Sequence, residues 1–176
     1  MKKILLFALT INIAIVPMVF GSSRAAQMKT PSAPFQTADL SAFLTAIQSM
    51  KTSFFKHSQV SNQAIQGICD LARAQQLPSS KLKKEVLQKI KKTQNDVDAF
   101  KTTAISFQNS NNVHVQKLSE AFITLYKYAT AMLKQQARFV SAPEKFSPSD
   151  GNTLVKYTSL FGKQCKYIDQ LINEVQ

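Results

Sequence analysis

Tryptophan is absent from this chain, glycine occurs 4 times, and cysteine and histidine occur twice each. So few glycines argue against a turn-dense β fold, which needs them wherever the backbone turns left-handed. No glycine-rich phosphate loop, zinc-ligand spacing or Gly-x-Ser-x-Gly elbow occurs. That removes the commonest sequence grounds for nucleotide, metal or acyl-transfer chemistry. Acidic residues are scarce, 10 against 22 Lys and Arg. Asp96 and Asp98 come close together, but two residues apart on a helix they point in different directions and cannot act as a pair. Cys-x-x-Cys-His is missing, so covalent haem of the usual kind is excluded, and no cofactor is expected.

What remains is a chain of 176 residues, 44% hydrophobic, rich in Gln, Lys, Ser and Ala. That composition suits helices joined by short turns, and the length suits one domain. The net charge is +12. Charge of that sign favours anionic partners: lipid headgroups, phosphorylated polysaccharide, nucleic acid or an acidic protein.

The first residues read as an export signal. Met1-Lys2-Lys3 is a positive start, and Ile4 to Phe20 is an apolar run broken by Thr10, Asn12 and Pro17. Small residues then suit cleavage before Ser22 or before Ala26. A signal peptide over 1–25 is therefore expected, of bacterial type, with a periplasmic or extracellular destination. No cysteine lies near the junction, which argues against a lipoprotein, and no second run of spanning length follows. Loss of Lys2, Lys3 and Arg24 would leave 19 basic and 10 acidic residues, a net +9. Residues 26–38, with Pro31 and Pro34, read as a short flexible linker.

Residues 39–176 carry four apolar stripes at helical spacing. Phe43, Ile47, Met50, Phe54, His57, Ser61, Ala64, Ile68 and Leu71 predict a helix from about Asp39 to Gln75, with a break conceivable near Lys56-His57-Ser58-Gln59. Pro78 ends it, and Ser79 or Ser80 can cap a second helix over 81–108. Asn109-Ser110-Asn111-Asn112 then makes a tight connection to a third, over 113–140. Ser147-Pro148-Ser149-Asp150 starts a fourth, with Leu154, Tyr157, Phe161, Cys165, Ile168, Ile172 and Val175 facing inward. Short connections force neighbours antiparallel, so the expected fold is an all-α, up-down-up-down four-helix bundle.

Cys69 and Cys165 are a candidate disulfide in an oxidising compartment. Counting residues from the helix ends, however, separates them by roughly 10–16 Å along the bundle, beyond the ~7 Å that a bridge allows between Cα atoms. His57 falls on an apolar stripe and His114 at a helix start, and neither has an acid three or four residues on. A polar core layer suits His57 better than a metal site.

The strongest local feature is Lys81-Leu82-Lys83-Lys84-Glu85-Val86-Leu87-Gln88-Lys89-Ile90-Lys91-Lys92. Lysines at a helix start oppose the helix dipole by roughly 0.3–1 kcal/mol each, a local conflict that suggests use. Lys81, Lys83, Lys84, Lys89, Lys91 and Lys92 are therefore the expected contact surface for an anionic envelope component or protein. Nucleic acid fits poorly, because arginine and exposed aromatics are not interleaved. Leu44-Thr45-Ala46-Ile47-Gln48 resembles the Leu-Thr-x-x-Gln motif of the Spy-like periplasmic chaperones, which carry it twice; here it occurs once, over five residues. The alternative to an interaction or structural protein is a chaperone-like protein that holds unfolded clients against a basic concave face. A bundle-type enzyme or electron carrier ranks third.

Overall fold

The computed structural model describes residues 34–174. The expected signal peptide and most of the expected linker lie outside them. Four helices follow in order: α1 (Pro34–Arg73), α2 (Ser80–Ser106), α3 (Val113–Ser141) and α4 (Pro148–Asn173), with one 3-10 turn, Pro143–Lys145, before the last. α1 begins ahead of the expected start at Asp39, so the end of the expected linker is helical. Pro34 opens that helix, where its missing N–H is no loss, and residues 35–38 contain no breaker. The helix also runs unbroken through Lys56-His57-Ser58-Gln59.

Each boundary has a local cause. The Ser79 side chain accepts the Leu82 N–H at 3.2 Å, and Asn112 Oδ1 accepts those of His114 and Val115 at 2.9 and 3.4 Å. Ser147 and Asp150 form a reciprocal capping box: the Asp150 N–H donates to Ser147 Oγ and the Ser147 N–H to Asp150 Oδ2. α1 ends differently. Gln75 adopts φ 57°, its N–H bonding the Ala72 carbonyl and that of Gln76 the Leu71 carbonyl. This is the Schellman arrangement, with glutamine in the place glycine usually takes.

The helices pack in sequence, α1 on α2, α2 on α3 and α3 on α4, with α1 also reaching α3. The result is an all-α up-down bundle built around α3. Thirteen α3 residues are buried, from Val115 to Val140, because neighbours cover α3 on several sides. Ser119 donates to the Ala104 carbonyl of α2, and Gln164 Nε2 to the Ala121 carbonyl at 3.0 Å, tying α2 and α4 to it. Among the described residues, α1 and α4 do not pack along each other, and the seam between them stays partly open.

A ladder of rings fills the core at the α2–α3 turn end and in the middle. Phe43 meets Phe107 and Phe122 edge-on at 5.0 and 5.6 Å; Phe100 meets Phe54 at 5.8 Å and stacks on Tyr126 at 5.1 Å. Each such pair adds about 0.5–1.5 kcal/mol beyond area burial. The expected stripe on α1 holds at Phe43, Ile47, Ser61 and Ile68, but Ile65 is buried where Ala64 was expected to be. A strict 3.5-residue spacing drifts by about 20° per heptad on a straight helix. By the far end of this long helix the inward face has moved on by one residue.

Candidate functional site

α2 turns Val86, Ile90, Thr93, Val97, Phe100 and Ala104 into the core. At about 100° per residue, Lys81, Lys84, Lys91 and Lys92 then fall on the opposite face, with Lys89 on the flank between that face and the core. All five are exposed. No ion pair joins any of them to an acid among the described residues, where the pairs are His57–Asp96, Arg73–Asp70 and Arg138–Asp150. No acidic residue lies in the first turn of α2 to offset the charge against its dipole.

Lys83 is the exception to the expected surface. It is half-buried, and its Nζ donates to the Ser141 carbonyl at 3.1 Å. A cation on the last carbonyls of α3 complements that helix's dipole and fastens the top of α2 to α3. Lys83 is thus engaged at the junction of α2 with the end of α3, apart from the other lysines.

His57 and Asp96 come together between α1 and α2. Nδ1 lies 2.6 Å from Asp96 Oδ2, Ser53 Oγ donates to Asp96 Oδ1 at 3.1 Å, and Ser53 Oγ lies 3.5 Å from the same Nδ1. A carboxylate only accepts, so Nδ1 carries the proton. In a nucleophilic triad the serine and the acid occupy opposite ring nitrogens. Here both crowd one nitrogen, and the arrangement is a clamp between two helices. Sequence reasoning sought the acid on the histidine's own helix and missed it. The signal lay in the hairpin register: Met50 faces Thr103 and Phe54 faces Phe100, and continuing that antiparallel pairing brings Asp96 to His57. His114 is exposed at the start of α3.

Cys69 and Cys165 are free, buried thiols. Cys69 lies near the top of α1, level with the first turns of α2, whereas Cys165 follows Gln164, which bonds Ala121 in the opposite half. At 1.5 Å per residue the two are about 25–30 Å apart along the bundle. In this arrangement no bridge between them can form. Burial raises Cys69 to about 11, with Arg73 opposing and Asp70 adding, and raises Cys165 to about 12, with Asp169 adding. Both stay protonated at neutral pH and serve as apolar packing. Among the described residues no group of three His, Cys, Asp or Glu is placed to hold a metal ion, and no helix is long and apolar enough to cross a membrane.

Comparison with protein-family models, with curated proteins and with solved structures finds no match to this chain.

Proposed function

We propose that the chain works by binding rather than by chemistry, and that the outer face of α2 docks on an anionic component of the cell envelope after export. The observation that carries this reading is the row of exposed lysines, Lys81, Lys84, Lys89, Lys91 and Lys92, none of them paired to an acid among the described residues. The large apolar residues of α2, exposed Ile105 excepted, lie in the core or pack against it, so the contact is electrostatic, without insertion of that helix into an apolar phase. Each lysine at an anionic surface contributes about 1 kcal/mol, screened within ~10 Å at 0.1 M salt. A reversible, salt-sensitive contact follows. Export rests on the opening segment, and amino-terminal sequencing of the secreted form, starting at Ser22 or Ala26, tests it.

The docking test compares two variants of equal net charge. One carries Lys→Gln at 81, 84, 89, 91 and 92; the other carries Lys→Gln at the exposed 127, 134, 156, 163 and 166 of α3 and α4. Binding to phosphatidylglycerol-containing vesicles, with phosphatidylcholine vesicles as the neutral control, should fall at least tenfold more for the first variant. Equal losses would mean that overall charge, not the α2 face, does the binding.

A further inference from the structure

Where α1 and α4 fail to meet over α3, the core contains a cavity of about 50 Å³, partly open to the surface. Phe54 of α1, Ala129, Met132 and Leu133 of α3 and Phe161 of α4 supply carbon walls. Ser58, Ser61, Asn62, Thr93 and Gln136 supply the polar part, and no charged residue lines it. Two lining atoms have no hydrogen-bond partner among the described residues: Ser61 Oγ and Gln136 Oε1. Ser61 is 1% exposed and Gln136 2%, so neither atom is served by bulk solvent at the protein surface. Leaving such a group unpaired costs about 1–3 kcal/mol, which apolar residues in the same places would not incur.

The two orphans are chemically complementary to one kind of group. Gln136 Oε1 accepts only, and Ser61 Oγ can donate its hydrogen. A single hydroxyl that donates to the amide and accepts from the serine satisfies both. The absence of a charged lining residue disfavours an ion, and the carbon walls suit an aliphatic body. At about 10–15 Å³ of such cavity volume per water-sized group, the space takes a hydroxyl and two or three carbons beside it. The open side leaves the remainder of a chain lying between Phe54 and Phe161. We propose that this cavity is a binding site for a neutral, hydroxyl-bearing apolar molecule, an aliphatic alcohol or the hydroxyl end of a longer one. It lies on a different part of the molecule from the lysine face and does not depend on it.

The test uses two isomers as probes, 1-butanol and methyl propyl ether. They match in atom count, but only the alcohol can donate. Titration of the purified protein, followed by the methyl resonance of Met132 in a carbon-13 spectrum, should give a saturable shift with 1-butanol. Affinity for the ether should be weaker by about tenfold, the worth of one hydrogen bond. Gln136→Leu should erase the difference between the probes; Ser61→Ala, which removes the donor that both oxygens accept from, should weaken both by a similar factor and keep the difference, and it serves if the first variant does not fold. Linear drift with both probes, or equal affinities, would overturn the site. So would a crystal structure grown with 1-butanol in which water alone bridges Ser61 and Gln136.

Discussion

The two halves of the core are built on different principles. Toward the α2–α3 turn, Phe43, Phe100, Phe107, Phe122 and Tyr126 interlock, and Tyr126 is buried deeply enough that its phenol is held well above its ordinary pKa by desolvation, with Cys165 adding to the rise. Toward the other end Ser58, Ser61, Thr93 and Gln136 take buried places, the rings of Phe139 and Phe146 are only half-buried, and a cavity remains. What fastens that end is at the helix termini: the Ser147–Asp150 capping box, the Arg138–Asp150 ion pair at 2.7 Å, Lys83 on the Ser141 carbonyl and the Schellman turn at Gln75. A core can thus give up apolar filling in one region if caps and helix-end contacts hold the helices there.

Substitutions in the ring ladder should show the largest effects. Phe122 is 1% exposed and touches both Phe43 and Tyr126. Phe122→Ala should cost about 3–5 kcal/mol in denaturant unfolding. Gln136→Leu, equally buried in the other half, should be neutral or stabilising because it removes an unpaired polar atom. Similar losses at both positions would abolish the contrast.

The clamp between α1 and α2 sits at the boundary of the halves. Asp96→Ala leaves a partly buried histidine facing no carboxylate, and should cost about 2 kcal/mol at neutral pH. His57→Ala combined with Asp96→Ala should then add little more, a double-mutant cycle that isolates the pair. Strict additivity would show that the 2.6 Å contact contributes nothing to stability.

The caps come next. Ser147→Ala should cost about 1 kcal/mol. Its pH dependence has a definite sign. Hydrogen bonds from the Ser147 backbone, then from its side chain, hold the Asp150 carboxyl below its ordinary pKa against the opposing effect of desolvation, with Arg138 assisting. A depressed folded-state pKa stabilises above the unfolded value, and that stability is lost as pH falls through the folded one. The wild-type protein should therefore lose stability below about pH 4, and Ser147→Ala should lose less over the same range. An unchanged acid profile would disconnect the cap from Asp150.

Much of this was readable from residue order. Ser147-Pro148-Ser149-Asp150 and the asparagine cluster before Val113 carry their chemistry locally, so both helix starts fell where they were expected. Periodicity located the inward faces for the same reason. What periodicity could not convey was which faces meet. The α4 stripe includes Tyr157 and Phe161, yet both are only half-buried, because closure of α1 onto α4 depends on three-dimensional fit and not on spacing. Lys83 looked identical to its neighbours in the lysine run. Its distinction is a carbonyl 58 residues away. Asp96 was passed over for the same reason, since its partner lies on another helix.

The smallest effect sharpens the contrast at its far edge. Gln75 holds a left-handed conformation, φ 57°, at the turn that closes the ring-poor half. A side chain there costs about 1–2 kcal/mol relative to the right-handed region, and glycine removes that cost while losing about 0.5–1 kcal/mol of unfolded-chain entropy. Gln75→Gly should therefore raise stability by about 0.5 kcal/mol, read as a higher denaturant midpoint at constant slope. If the end of the molecule with few buried rings depends on its turns, even this gain should slow hydrogen exchange in the last turns of α1 while leaving the amides around Phe122 unchanged. Protection rising equally in both regions would mean that the two halves unfold as one unit, and that the division between them is one of composition alone.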